Sequence, residues 1–348
     1  MKAFVKIGNQ SGEASVEEIP FVGPGAGEVS LRVVSCGICG SDVHAFKSDP
    51  GFEWVRPPIT LGHEFSGTVE SVGPGVTRVS PGDRVVVVAI QGCGRCETCL
   101  AGSTQLCTDR VAVGLSRDGG MAEYAVMPEQ HLVPVPEGLD LAVAAVGEPL
   151  SVAVHAVDVR AEIEPGQRVV VSGPGPIGIF CGMLANLRGA QVLLTGVGQD
   201  SESRLPAAER VGLSTANLSE KPLEEHLRDS FGDYAPDVWI ESSGSVRALG
   251  SALESVRPGG TVGVVGLYAE EMRFSPTEAV RREISLLFSY SCNYADYQTA
   301  LDLLSAGAID PGPLLSKYPL GNAPEAFEAV GQGQTVKAML LPQGDAER

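Results

Sequence analysis

The chain has 348 residues, 43% of them hydrophobic but only 5% aromatic, with 43 glycines and 24 prolines. This describes a loop-rich α/β protein with cores of small aliphatic side chains, long enough for two domains. Its formal net charge of −18 repels phosphate backbones and acidic membranes, which argues against nucleic-acid and lipid partners.

No apolar run approaches the length of a membrane span. The N-terminus, Met1-Lys-Ala-Phe-Val-Lys6, enters strand-like alternation without a signal-peptide core, so a cytoplasmic protein is expected. Residues 1 to about 90 alternate β-branched runs (Val29 to Val34, Gly67 to Val72, Arg84 to Val88) with glycine-proline turns at Gly23-Pro24-Gly25 and Gly73-Pro74-Gly75. Many short strands with such punctuation predict a small, irregular barrel.

Two loops of this region carry chemistry: Cys36-Gly-Ile-Cys39-Gly-Ser41-Asp42-Val-His44 and Gly62-His63-Glu64. A thiolate, an imidazole and a carboxylate form a mixed donor set that suits zinc. Ser41 and Asp42 add a hydroxyl and a second carboxylate, the parts of a proton path and of a partner for a metal ligand. Next, Cys93, Cys96, Cys99 and Cys107 follow the spacing C-x2-C-x2-C-x7-C. Four thiolates crowded into fifteen residues can close a tetrahedral shell with no position left for substrate, which predicts a structural zinc rather than disulfides. A segment with so much glycine and so few apolar residues has little else to fold around.

The run from Gly62 to Val76 fits G-H-E-x2-G-x5-G-x2-V at every fixed position. It resembles the signature of the zinc-dependent medium-chain dehydrogenase/reductase superfamily, and the resemblance spans essentially the whole chain. The four-cysteine segment is similar to the structural zinc lobe of that superfamily, and Gly119-Gly120-Met-Ala-Glu123-Tyr124 to its return into the barrel. Ala144-Ala145-Val-Gly147-Glu148-Pro149-Leu-Ser151 resembles the polyol and threonine dehydrogenase branch, in which a glutamate here faces the metal or its water. Other alcohol dehydrogenases place a zinc-binding cysteine in this region, and none occurs between Cys107 and Cys181. A mid-helix glutamate set among Ala, Val and Leu is either paired or metal-facing; the metal-facing alternative is favoured.

Arg168-Val-Val-Val-Ser172 reads as a buried strand, followed by Gly173-Pro-Gly175-Pro176-Ile177-Gly178 and an apolar helix to about Leu187. A G-x-G-x-x-G between strand and helix is the dinucleotide-binding context. Strand-like runs at Gln191 to Thr195, Asp237 to Glu241, Thr261 to Gly266 and Ile284 to Phe288 alternate with helical segments, a doubly wound parallel sheet. Gly196 stands where an acidic residue ordinarily receives the ribose hydroxyls. Asp200 serves NAD in its place, or Ser201, Ser203 or Arg204 holds a 2′-phosphate; NAD is the favoured cofactor, with NADP the alternative. Many polyol-oxidising relatives carry an Arg-Tyr pair before the last part of the chain, and here Ser289 precedes Tyr290. Cys181 and Cys292 read as buried bystander thiols.

The resemblance implies a GroES-like catalytic domain over residues 1–152 and 290–348, with the zinc lobe at 90–110, and a Rossmann domain over residues 153–289. It implies two zincs per chain and hydride transfer between a secondary alcohol, polyol-like, and a nicotinamide cofactor. Cys39 and His63 are the expected catalytic ligands, and Glu64 and Glu148 share the third position or hold a water. Asp42 orients His63, Ser41 takes the alcohol proton, and His44 is the outer station. Threonine or simple secondary-alcohol oxidation is the neighbouring expectation. Quinone and enoyl reductases of this fold generally lack the Cys39, His63 and Glu148 set. A non-catalytic, zinc-stabilised nucleotide-binding protein is the expectation from another class. The partners are a small alcohol or ketone and further copies of the chain, as dimer or tetramer. Phe46, Phe52, Trp54 and Leu115 line the substrate or belong to the core.

Overall fold

In the computed structural model, which describes residues 1–344, the short β-branched runs form antiparallel strands and the later runs form parallel ones. The first unit comprises Met1–Ser151, Cys292–Gly307 and the chain from Leu315 onward; the second comprises Val152–Ser291 and Ala308–Leu314.

The first unit is organised around the strand Glu28–Gly37. Along one side it pairs with Glu64–Val72. On the other it pairs with Tyr124–Pro128 over its first half and with Lys337–Leu341 at its end. The sheet continues through Arg84–Val87 to Leu132–Pro134 and, at the far side, to Leu315–Pro319. A smaller sheet orders Ala14–Glu18, Lys2–Lys6 and Ile59–Thr60. Inward residues at period two build the core: Leu31, Val33, Phe65, Val85, Met121 and Leu340 are almost fully buried. Each such side chain contributes about 1.5–3 kcal/mol by leaving water. Phe46, a candidate for the substrate wall, packs with Phe4 and Phe327, its ring 5.1 Å from that of Phe327, and Leu115 is buried with them in the core.

Two pairings position the site. Gly37 lies opposite Glu64 on one side and opposite Met339 on the other. The end of the Glu28–Gly37 strand therefore delivers the Cys39 loop between the start of the Glu64 strand and Lys337. Register alone brings together segments about 300 positions apart.

The cysteine segment forms a separate lobe, with the helix Glu97–Leu100 and the strand pair Ile90–Gln91 and Val111–Ala112. It exposes Leu100 and Leu106 and buries Cys99, Gln105 and Cys107. Such a lobe has almost no apolar interior of its own.

In the second unit six parallel strands run in the order Ser214–Asn217, Gln191–Gly196, Arg168–Ser172, Val238–Glu241, Thr261–Val264, Ser285–Phe288. This is the doubly wound order, with the crevice beside the first strand's C-terminal end. The helix Pro176–Leu187 follows that strand. A side chain at Gly178 would begin 1.9 Å from the Gly173 carbonyl oxygen, so only glycine lets the helix start against the turn. The edge strand Ser214–Asn217 is polar and carries no apolar run to announce it.

Candidate active site

The helix Gly40–Lys47 begins at Cys39, whose N–H donates to Asp42 Oδ2 at 2.9 Å. Asp42 thus holds the turn that presents the Cys39 thiol and places a negative charge at a helix N-terminus. Its other oxygen, Oδ1, faces His63 Nδ1 at 3.3 Å, and neither atom makes a hydrogen bond elsewhere among the described residues. That contact leaves His63 Nε2 directed to the other side, where Ser41 Oγ lies 3.5 Å away. Gly62, at φ +93°, makes the turn before His63, and a side chain there would begin 2.6 Å from Cys36 Sγ.

Donor atoms of Cys39, His63 and Glu64 all lie within 4.8 Å of one another. Burial alone would strip the His63 proton, but Asp42 and Cys39 outweigh it and hold the imidazole pKa well above its ordinary value. The surrounding anionic groups therefore favour a cation between thiol and imidazole. A soft thiolate, half-buried, and a borderline nitrogen and a carboxylate, both buried, converge in a way that fits zinc.

Glu148 lies outside that cluster of three. It sits in the first turn of the helix Gly147–Val154, not mid-helix as its apolar neighbours suggest, and is 6% exposed. Burial pushes its carboxyl up to about 7; His63 acts in the opposite direction and Glu64 adds to the rise. It thus senses the charges of the site directly.

A further residue escaped the motif reading. The Lys337 ammonium lies 2.7 and 2.5 Å from the two oxygens of Glu64 and donates to the Ile38 carbonyl at 3.1 Å. The signal was a lysine within the apolar run Val336-Lys-Ala-Met-Leu-Leu341, since buried lysines are rare unless paired.

His44 is at the surface: its Nδ1 contacts Asp49 Oδ2 at 2.7 Å and its ring stacks on Phe52, which in turn stacks on the half-exposed Trp54. Cys36 is buried and free, and no cysteine of the described residues forms a disulfide.

In the lobe, the four sulfurs of Cys93, Cys96, Cys99 and Cys107 lie within 4.8 Å of one another, and Cys96 and Cys107 Sγ are 3.8 Å apart. A tetrahedron with Zn–S bonds of about 2.3 Å has edges of about 3.8 Å. Backbone N–H groups of Arg95 and Cys96 pull the Cys93 thiol down to about 6, while burial pushes Cys99 up to about 12. A divalent cation is what makes all four thiolates.

The second unit carries its own cleft, lined by Gly173, Gly175, Thr195, Asp200, Arg204 and Ser243 among others. Pro176 and Ile177 form the first helical turn, whose free N–H groups suit a pyrophosphate. Asp200 is 4% exposed; its Oδ2 accepts from the Val197 N–H at 3.0 Å, and its Oδ1 lies 3.4 Å from Arg204 Nη1. Glu241, also missed, accepts from the N–H groups of Ser243 at 2.8 Å and Gly244 at 3.2 Å and from the Tyr268 hydroxyl, fixing the turn that borders the cleft.

Comparison with known proteins finds this chain similar to zinc-dependent dehydrogenases. The alcohol dehydrogenase GroES-like domain family matches residues 25–137, and the zinc-binding dehydrogenase family matches residues 176–306. A sorbitol dehydrogenase of Halalkalibacterium halodurans is 35% identical over 346 residues, 98% of this chain and 99% of that one. An L-threonine 3-dehydrogenase of Saccharopolyspora erythraea is 33% identical over 347 residues, 98% of each chain. Among solved structures, a Sinorhizobium meliloti 1021 protein described as a zinc-binding dehydrogenase, bound to NADP, superposes with a TM-score of 0.89 at 32% identity, covering 98% of this chain and 99% of that one.

Proposed function

The chain belongs to the zinc-dependent medium-chain dehydrogenase/reductase superfamily, and from that premise we propose that it oxidises a secondary alcohol of a polyol or sugar alcohol, reversibly, with a nicotinamide cofactor as hydride acceptor. The observation that carries the reading is the convergence of Cys39, His63 and Glu64, with the buried Glu148 in electrostatic reach and no second thiol in that group of the described residues. The sorbitol dehydrogenase relative supports the substrate class.

Cys39 and His63 would hold the catalytic zinc, with Glu64 as the third protein donor and Glu148 as a buried carboxyl able to hold its water. Bound there, zinc supplies Lewis-acid polarisation of the substrate oxygen, lowering the pKa of its proton toward neutrality. Ser41, beside His63, accepts that proton, and His44, in contact with solvent, is its exit. Asp42 fixes the imidazole ring from behind. Lys337 offsets the charge of Glu64 by contacting both of its oxygens, so a metal bound there would share this carboxylate with the ammonium. Cys93, Cys96, Cys99 and Cys107 hold the second zinc. Gly173, Gly175, Pro176, Ile177 and Gly178 carry the pyrophosphate, while Asp200 and Arg204 border the adenosine end.

No helix of the described residues is long and apolar enough to cross a membrane, in keeping with a cytoplasmic enzyme. The strand Ser285–Phe288 closes the second unit's sheet with an open edge, beside exposed Leu267, Val280 and Phe288. An unprotected apolar edge supports pairing with another copy of the chain.

A second reading, oxidation of L-threonine or a small secondary alcohol, is favoured by Ser289, which stands where polyol-oxidising relatives have an arginine; its buried hydroxyl has no hydrogen-bond partner among the described residues. A screen of polyols, sugars, L-threonine and secondary alcohols with NAD and NADP, on zinc-replete protein and followed by absorbance of the reduced cofactor, separates the two. Preferred turnover of a polyol is expected. Turnover of threonine or a small alcohol with every polyol inert overturns the polyol assignment in favour of the second reading.

A further inference from the structure

The cleft beside Gly196 leaves no room for the acidic residue that ordinarily receives the ribose hydroxyls. The strand Gln191–Gly196 ends in a glycine whose absent side chain is enclosed: a Cβ would lie 3.0 Å from Leu205 Cδ2, 3.0 Å from Pro174 Cγ and 3.1 Å from Asp200 Oδ2. No acidic residue fits at that position without displacing its neighbours. The nearest carboxylate, Asp200, is turned back onto the Val197 N–H and toward Arg204, and is almost fully buried.

Two guanidinium groups border the same cleft. Arg204 enters from the helix Arg204–Arg210, and its Nε is buried with no hydrogen-bond partner among the described residues. Arg247 comes from a different segment, the helix Val246–Ser255, is exposed, and pairs with no carboxylate among the described residues. The hydroxyls of Ser243 and Ser245 lie on the same border. In a chain of net charge −18, Arg247 adds a positive charge to this border beside the Arg204–Asp200 pair, whose Arg204 Nε is still unsatisfied. Guanidinium forks match phosphate geometry, whereas ribose hydroxyls call for a carboxylate acceptor.

We propose that this cleft selects the 2′-phosphorylated dinucleotide, NADP(H), over NAD(H), with Arg204 and Arg247 as its specificity-determining residues. The inference rests on the dehydrogenase reading above and adds which cofactor that site takes.

The test uses zinc-replete protein and isothermal titration with 2′,5′-ADP and with 5′-AMP, probes that share the adenosine end and differ only in the 2′-phosphate. The first is expected to bind at least about tenfold tighter, the ratio one charge-assisted contact supplies. Arg247→Gln and Arg204→Gln should each reduce that ratio about tenfold or more. Binding of 5′-AMP within about twofold of wild type shows that the cleft is intact; the Arg247 variant, at the surface, makes this comparison safe from misfolding. Equal affinities for the two probes, or an unchanged ratio in both variants, overturn the inference while NADH binding leaves the dehydrogenase reading standing. Binding of no probe and no NADH overturns both.

Discussion

Lys337 and Glu64 form an ion pair 2% exposed on either side, across 273 positions of sequence, at the edge of the proposed zinc site. Burial alone would lower the Lys337 pKa, but the Glu64 charge holds it above the ordinary value. Removing one member of such a pair leaves the other charge buried and uncompensated, at a cost of about 3–5 kcal/mol. Lys337→Met should therefore lower stability by about that amount in urea titrations of zinc-stripped protein, compared with zinc-stripped wild type, where no metal ion compensates Glu64. The double variant Lys337→Met with Glu64→Gln should recover most of it, since no lone charge remains. A loss below about 1 kcal/mol in the single variant would show that water reaches Glu64 and that the pair is not dry.

Asp42 serves the helix and the imidazole with different oxygens, and one substitution separates the roles. Asn keeps an acceptor for the Cys39 N–H but loses the charge opposite His63 Nδ1. Asp42→Asn should weaken catalytic-site zinc by about 10–100-fold in chelator competition, while the lobe zinc stays. Unchanged affinity would reduce Asp42 to a cap.

The two metal sites should fail in different ways. Cys39→Ser is expected to abolish alcohol oxidation, to leave one zinc per chain, and to keep a near-wild-type melting curve, because the first unit's core does not depend on that ion. Full activity in that variant would remove Cys39 from the ligand set. Cys107→Ser should instead open the lobe, with proteolytic cleavage confined to residues 90–110, since the lobe buries almost nothing apolar.

What was readable in advance follows the length scale of each interaction. The four cysteines sit within one segment and their spacing alone specifies a shared ion, and the Gly173 turn carries its strand and helix on either side. The Cys39 and His63 loops were legible because the run from Gly62 to Val76 fits G-H-E-x2-G-x5-G-x2-V and a thiol lies close by in sequence. Glu148 was legible as a buried charge, but not its place in the helical turn, which depends on where Gly147–Val154 begins. Lys337 was not legible as a partner of Glu64, because that contact comes from the pairing of Gly37 with both Glu64 and Met339, and local pattern carries no long-range register. Ser214–Asn217 was invisible for another reason: an edge strand of polar residues has no hydrophobic period to read. The course of the Asp200 loop likewise depends on Val197 and Arg204 closing around it.

The second unit should owe part of its stability at neutral pH to Asp237. Burial would raise this carboxyl, but Arg168 donates to it at 2.8 and 2.9 Å through its side chain and at 2.9 Å through its N–H, and Arg257 donates at 2.6 Å. These donors outweigh burial and hold the pKa well below the carboxylate range. A carboxyl depressed in the folded state stabilises fully above its unfolded pKa of about 3.9, and that contribution is lost as pH falls through the folded value. Asp237→Asn should therefore cost about 1–2 kcal/mol at neutral pH, discounted for the partly exposed Arg257. The gap to wild type should narrow steadily below about pH 4. Urea midpoints at pH 7, 4 and 3 check this; a gap of the same size at every pH would assign the role of Asp237 to shape and hydrogen bonding rather than to its charge.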